Sequence, residues 1–435
     1  METEEFRYVN GELYAEDLPV AGLAAEFGTP LFVYSRSHLR RQYSALADAL
    51  AAVDLGGPPK IFFAVKSNSN AAVIAALAGV GAGADVVSGN ELWRARRAGV
   101  GAGDIVFAGV GKTRAEIAYA LSEGIAYFTV ESEPELARIS ECAVESGAVG
   151  RVAIRVNPDV DPRTHKYNST GEGGSKFGVS LARAEAAFEA ASELPGLEVV
   201  GLHMHLGSII MSTRPWEDAL DKVAALCRRL RAKFPTFRHI DIGGGIGIKY
   251  RAADDPPSPR QFAEAVAPKL RPLGLSVGVE PGRFISGNAG ILVTRVEHVK
   301  EQGRKTFVIV DAGMNDLIRP ALYGSHHEVL PVVQQMGTGV EDDANEVDVV
   351  GPVCESGDFL AQGRGGLRGA GEGDVLAVLG AGAYAFAMSS NYNSRGRAAE
   401  VMVQGGRAEV VRRRETREDL VALEVLPKWN GDGDQ

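Results

Sequence analysis

Residues 61–70 read Ile61-Phe62-Phe63-Ala64-Val65-Lys66-Ser67-Asn68-Ser69-Asn70. Five apolar residues in succession suit a strand buried on both faces, as in a parallel sheet covered by helices. The run stops at a lysine. An amine at the tip of a buried strand is half-desolvated, and desolvation by itself lowers a lysine pKa and frees the nucleophilic form. That environment suits a lysine that forms a Schiff base. Taken alone, Lys66 is more simply a side chain reaching from a strand end into water, so the rest of the chain has to decide.

Outward from this stretch a regular beat of short β-rich run, loop and amphipathic helix sets in. Strand cores fall at Ile61–Val65, Ala84–Val87, Ile105–Ala108, Tyr127–Val130, Val152–Val156, Val199–Met204, His239–Ile242 and Ser276–Val279. Helical spacing separates them, as at Glu91–Ala98, Glu133–Ser146, Leu181–Ser192 and Pro215–Ala232. Eight strands alternating with helices predict a parallel (β/α)8 TIM-like barrel. An open doubly wound sheet is the competitor. The glycine run Gly243-Gly244-Gly245-Ile246-Gly247 does not support it, because it lacks the last glycine of G-x-G-x-x-G and comes late in the chain.

After Pro281 the rhythm changes. Gly290–Val299, Thr306–Val310, Glu346–Val353, Asp374–Leu379 and Glu400–Val403 read as strands joined by glycine-rich turns with little helix between them. The chain therefore divides into an N-terminal segment, 1–41, a barrel, 42–287, and a C-terminal all-β domain, 288–435, which the N-terminal segment completes. Gln334–Ala344 reads as a surface loop and Asn430–Gln435 as a frayed end.

Composition narrows the partners. At 435 residues two domains are expected. A net charge of −10 argues against nucleic acid or an anionic membrane. Cys142, Cys227 and Cys354 are odd in number and far apart, so they form neither a disulfide framework nor a zinc pattern, and a reducing cytoplasm fits. The acidic start Met1-Glu2-Thr3-Glu4-Glu5 has no apolar core of a signal peptide, and the apolar run Ala71 to Ala84 is too short to span a bilayer.

Barrel function collects at the carboxyl ends of the strands. Those ends hold Lys66, Asp85 to Ser88, Arg155 and Asn157, His205 to Ser208, Gly243–Gly247 and Glu280 to Arg283. No polar residue of comparable promise marks the strand starts. Successive glycine amides can wrap a phosphate, and a plain turn needs one glycine rather than four. His203 and His205 alternate along one strand and could form half of a metal site. No Asp or His at the other strand ends completes a convincing ligand set, and no metal is assigned.

Seven segments, in order from residue 63 to 395, resemble the fold-type III pyridoxal-phosphate (PLP) decarboxylases and, among them, the diaminopimelate decarboxylase family. They are Phe63-Ala64-Val65-Lys66-Ser67-Asn68, His203-Met204-His205-Leu206-Gly207-Ser208, Gly243–Gly247, Glu280-Pro281-Gly282-Arg283, Asp311 to Tyr323, Cys354-Glu355-Ser356-Gly357-Asp358, and Gly382-Ala383-Tyr384 with Ser390 to Arg395. The lysine and glycine segments belong to the wider superfamily, whereas Arg319/Tyr323 together with Cys354-Glu355 mark the amino-acid branch. Ile209 and Asn168 depart from the family's usual residues.

The resemblance implies that Lys66 carries PLP, that His205 stacks on its ring and that Glu280 pairs with the ring nitrogen. It assigns the phosphate to Gly243, Gly244, Gly245, Gly247 and Gly282 with Ser208 and Tyr384, and counts Arg283 among the cofactor-binding residues. Arg283, Arg319, Tyr323 and Tyr384 would bind substrate, Glu355 would read a distal ammonium, and Cys354 would protonate the carbanion. Cys354 and Glu355 would come from the partner subunit of a homodimer. Asp85, Ser88, Glu91 and Arg155 would orient His205 or Lys66. The implied reaction removes CO2 from meso-2,6-diaminopimelate to give lysine. A related PLP decarboxylase or racemase for another amino acid, a non-catalytic PLP-binding protein and a metal-dependent hydrolase using His203 and His205 are the alternatives.

Overall fold

The computed structural model describes residues 3–162, 176–303, 305–334, 347–367 and 369–427. Asn168, Asn430–Gln435 and, from residue 335 onward, the expected loop Gln334–Ala344 lie outside them.

Eight parallel strands close on themselves: Pro59–Ala64, Gly83–Val86, Ile105–Phe107, Tyr127–Val130, Gly150–Asn157, Leu197–His203, His239–Asp241 and Ser276–Val279, with the last pairing back to the first. The open-sheet alternative is thereby excluded. Each strand core matches its expectation to within about two residues, the usual uncertainty of such boundaries. Burial explains the first strand. Ile61, Phe63 and Val65 belong to the large core shared with the helices, while Phe62 joins Val106, Tyr127, Ala153 and Val200 in a separate cluster. This second cluster draws on five strands and fills the interior of the barrel, so the unbroken apolar run is one strand buried on both sides.

The helices between the strands are punctuated locally. Thr113 and Glu116 form a capping box ahead of Arg114–Glu123, and Gly124 closes that helix in the left-handed conformation. Asn70 caps Ala71–Ala78 by accepting from the Ala72 amide. This stops the chain becoming helical until four residues past Lys66, which keeps the lysine on a loop at the barrel rim.

The second sheet orders its strands as Phe359–Arg364, Val347–Val350, Lys305–Val310, Gly290–Gln302, Leu31–Ser35, Ala399–Gln404 and Arg407–Arg412. Val375–Val378 also pairs with Gly290–Gln302 and with Val329–Pro331. Leu31–Ser35 lies in mid-sheet, antiparallel to one C-terminal strand and parallel to another, so the N-terminal segment completes this sheet. The helix Arg36–Ala51 runs straight across residues 41 and 42, where a domain boundary was expected. The chain thus passes from sheet to barrel in mid-helix.

Candidate active site

Lys66 occupies a single 3-10 turn, Val65–Ser67, after the first barrel strand. Parallel register sets Ala64 beside Asp85 of the next strand, and Lys66 Nζ lies 2.6 Å from Asp85 Oδ2. The lysine side chain is 34 % exposed and Asp85 is fully buried. The expected depressed amine does not form. Burial pulls it down, but the negative charges of Asp85 and Glu280 outweigh burial and hold Lys66 above the ordinary lysine range, as an ammonium. Strand-end reasoning missed this because the deciding carboxylate sits on the neighbouring strand.

His205 is fixed through Nδ1, which accepts from the Gly244 amide at 3.1 Å. The ring hydrogen of the neutral imidazole is therefore on Nε2. Burial, reinforced by Arg155 and Lys66, pushes its pKa well below the usual histidine value. The glycine loop wraps this ring. A Cβ on Gly243, at φ +69°, would stand 2.6 Å from His205 Nδ1, and one on Gly247 would stand 2.6 Å from Met211 Sδ. Gly244 has no room beside the Glu280 carbonyl, nor Gly245 beside that of Gly207. Packing demands all four glycines, not the single one that the turn argument supposed. Gly282 packs on Ala64 and Ser67 in the same way.

Glu280 and His203 face each other inside the barrel, His203 Nε2 lying 3.1 Å from both carboxylate oxygens. Asp241 joins them. Its Oδ1 accepts from the Gly243 amide and its Oδ2 from the Tyr127 hydroxyl, both at 2.8 Å. Tyr127 continues to His239 Nε2 at 3.0 Å, and His239 Nδ1 to Ser276 Oγ at 2.8 Å. Strand starts expected to lack promising polar groups thus contribute Tyr127, His239 and Ser276 to a polar column down the barrel. Burial, then Glu280, raises Asp241 to about 7, and burial pushes Glu280 upward and His203 down to about 4. His203, Asp241 and Glu280 each bring a ligand-type atom within 4.8 Å of the others. The fold supplies the acidic neighbours that His203 lacked in the sequence. Donors within the protein already engage every carboxylate oxygen of the set.

Arg283 and Arg319 converge on Tyr250, which the sequence reading did not single out. Arg283 donates to the Tyr250 hydroxyl at 2.7 Å and to Ser208 Oγ at 3.1 Å, and its guanidinium lies 4.7 Å over the Tyr384 ring. Arg319 lies 4.8 Å over the Tyr250 ring. Its NH1 meets His327 Nε2 at 2.7 Å, while His327 Nδ1 donates to the Leu379 carbonyl at 2.8 Å. His327 is thus a neutral acceptor that aims Arg319. Burial lowers the Arg319 pKa. Both guanidiniums are buried, and among the described residues neither forms an ion pair with a carboxylate. The only sequence signs of Tyr250 and His327 are an aromatic closing the stretch after the glycine loop and the pair His326-His327.

The other expected residues separate into two groups. Tyr384 is close to Lys66, with its amide donating to the Ser67 carbonyl at 2.8 Å, and Tyr323 is half-buried at the end of the helix Arg319–Tyr323. Arg155 bonds Glu131 at 2.9 Å and the His205 carbonyl at 3.4 Å. Ser88 and Glu91 serve as caps of Gly89–Arg97 and its approach, through the Glu91 and Val87 amides. Cys354 and Glu355 are exposed; the Cys354 amide donates to Asn393 Oδ1, and the Glu355 carboxylate accepts from the Gly357 amide. Among the described residues neither hydrogen-bonds to Lys66, Glu280 or Arg283.

The donor set fits pyridoxal phosphate. It offers a primary amine for the aldehyde, a buried carboxylate for the ring nitrogen and a glycine loop for the phosphate, although the Gly243, Gly244 and Gly247 amides of that loop already donate to Asp241, His205 and the Ile210 carbonyl. Beside the amine, Asp85 Oδ1 is buried without a hydrogen-bond partner.

A family model described as pyridoxal-dependent decarboxylase, pyridoxal binding domain, matches residues 36–287. A diaminopimelate decarboxylase of Pseudomonas fluorescens is 48% identical over 97% of this chain and 99% of its own length. One from Aquifex aeolicus is 45% identical over 95% of this chain and 96% of its own. Among solved structures, diaminopimelate decarboxylase from Helicobacter pylori complexed with L-lysine has a TM-score of 0.87 at 36% identity, covering 93% of this chain and 99% of that one. The M. jannaschii enzyme in co-complex with L-lysine has a TM-score of 0.90 at 33% identity over 98% of each chain. The chain belongs to the diaminopimelate decarboxylase family of pyridoxal-dependent decarboxylases.

Proposed function

We propose that this protein removes CO2 from meso-2,6-diaminopimelate to give L-lysine. The observation that carries the reading is the pair Arg283 and Arg319, two buried cations that form no ion pair with a carboxylate among the described residues. An unpaired buried charge is costly, so this place calls for an anion. A substrate with a second carboxylate, away from the bond that breaks, supplies one.

The chemistry that bound pyridoxal phosphate supplies is an electron sink for the pair left behind when CO2 departs. Lys66 Nζ would hold the cofactor, and Asp85 Oδ2, at 2.6 Å, is placed to take the proton that the ammonium gives up. Glu280 would hold a proton on the ring nitrogen, and His205 would back the ring face. The loop Gly243–Gly247 and Gly282, with Ser208 and Tyr384, would hold the phosphate through amides other than those of Gly243, Gly244 and Gly247, which donate within the protein. Arg283, Arg319 and Tyr323 would grip the carboxylate that is kept, since a guanidinium fork matches a carboxylate. Holding the unreactive head fixes the angle of the scissile bond at the other. Glu355 would bind the distal ammonium, and Cys354 Sγ would deliver a proton to the carbon that loses CO2.

Cys354 and Glu355 would act from the partner subunit, so the active form is a homodimer with shared sites. Their exposure on their own chain supports this. The cysteines are free, and no helix among the described residues is long and apolar enough to cross a membrane. Both fit a cytoplasmic enzyme. The test is CO2 release from meso-diaminopimelate beside its D,D- and L,L-isomers, lysine, ornithine and arginine. Faster turnover of ornithine or arginine than of the meso compound would overturn the assignment.

A further inference from the structure

A second polar cavity, of about 210 Å³, lies where the barrel meets the sheet, and it shares no residue with the site described above. It is lined by Ser69, Asn70 and Ala71 at the start of the helix Ala71–Ala78, by Glu400, and by three arginines from separate elements, Arg94, Arg397 and Arg412. Arg94 NH1 donates to the Ser69 carbonyl at 3.0 Å, and Arg397 NH2 donates to the Ser389 carbonyl at 3.2 Å. Arg412 lies 5.0 Å over the Phe386 ring and donates to Glu415 Oε1 at 3.2 Å. The Nε atoms of Arg397 and Arg412 are buried with no hydrogen-bond partner.

Charge does not balance here. Glu400 is buried, and its two oxygens are taken by neutral donors, the Tyr34 hydroxyl at 2.8 Å and Asn70 Nδ2 at 2.9 Å. Three guanidiniums meet Glu400, Glu415 and, beside Arg94, Glu91, and burial holds Glu400 and Glu91 toward their neutral forms, so the positive charge is only partly matched. The first turn of an eight-residue helix adds amides and the positive end of its dipole. Guanidiniums held together and only partly matched by carboxylates repel one another, and an oxyanion relieves that while meeting the Nε–H groups of Arg397 and Arg412, which have no hydrogen-bond partner among the described residues.

We propose that this cavity binds a small dianionic oxyanion of the phosphate type. The inference does not depend on the reaction proposed above. An occupant there would touch Asn70, four residues past Lys66, and so would brace the loop that carries the lysine.

The test uses cofactor-loaded protein, whose own phosphate site is filled, titrated with inorganic phosphate at constant ionic strength and followed by calorimetry and thermal unfolding. Saturable binding with Kd below about 1 mM and a raised Tm are expected. Arg397→Gln and Arg94→Gln should each weaken binding about tenfold or more, roughly 1.4 kcal/mol, and leave the cofactor absorbance unchanged. Arg229→Gln, at an exposed ion pair elsewhere, should leave the affinity as it is. If Arg397→Gln proves unfolded, Arg94→Gln decides alone. No saturation below about 10 mM would overturn the proposal. So would affinity that survives the Arg94 and Arg397 changes, or phosphate binding that displaces the cofactor.

Discussion

His203 donates from Nε2 to both carboxylate oxygens of Glu280, 3.1 Å from each. One donor shared between two oxygens fixes the plane of the carboxylate. The other ring nitrogen, Nδ1, is buried without a partner, and burial pushes the histidine pKa down to about 4. His203 is therefore neutral near pH 7 and carries its hydrogen on Nε2. It is a positioning residue for the group expected to meet the cofactor ring.

Removing that donor should be felt at the cofactor. His203→Leu leaves the buried Glu280 carboxyl without its partner, at a cost of about 1.5–3 kcal/mol. Cofactor affinity and kcat should together fall about 10- to 150-fold, with KM little changed. His203→Gln, whose amide can reach the Nε2 position, should recover most of the loss. If His203→Leu lowered only the Tm, with cofactor affinity and kcat as in the parent, the positioning role would be gone.

Arg319 should act on the head of the substrate that is kept. Arg319→Ala leaves a carboxylate unpaired in a buried pocket, at a cost of about 2–4 kcal/mol in kcat/KM, or roughly 30- to 1,000-fold. Lysine retains that head after CO2 has gone, so its inhibition should weaken in parallel. Unchanged lysine affinity beside a collapsed kcat/KM would show that Arg319 grips the departing side instead.

The proposed sharing of sites between subunits is tested by complementation. Lys66→Ala and Cys354→Ala homodimers should each be nearly inactive. Mixed under conditions of proven subunit exchange, they should recover part of the parental rate, because one site of each hybrid contains both native residues. Absence of recovery would place Cys354 in its own chain's site or outside catalysis.

Buried carboxylates should make the cofactor-free protein less stable as pH rises above about 6.5. Burial holds Asp241, Asp316 and Glu91 up at about 7, whereas unfolded carboxylates ionise near 4. Between those values the folded chain binds more protons, so each group's contribution, about 4 kcal/mol in all, runs down from about pH 4, and its last part, on the order of 1 kcal/mol apiece, is lost above about pH 6.5. His203 and His239, pushed down to about 4 and 3, act in the opposite direction, but only below about 6.5, where an unfolded histidine takes up its proton. Tm should therefore decline between about pH 6.5 and 8, and Asp316→Asn should flatten the decline. A Tm that rises over this interval would contradict the assignment.

The strands of the barrel were legible because their signal is local. Ile61–Val65 and Tyr127–Val130 are unbroken apolar runs bounded by turns, and burial on both faces is written into that composition. Three strands of the second sheet were not legible: Val329–Pro331, Phe359–Arg364 and Arg407–Arg412. The last has exposed and half-buried positions and charged residues, since it lies at the sheet's edge, where no apolar pattern is required.

The site divides in the same way. The sequence by itself determined which chemical groups stand at the strand ends, among them Lys66, His205, Glu280, Arg283 and the glycine loop, because strand order and side-chain period decide which residues reach the rim. Only the tertiary structure decided what those groups do to one another. Closing the barrel brings Asp85 to Lys66 and reverses the expected direction of its pKa, and it seats His203 on Glu280 and His239 beneath Asp241. A turn of the second sheet sets His327 behind Arg319. Coulomb and hydrogen-bond energies depend on separation in space and on how much water remains between the groups, and neither quantity is carried by position along the chain.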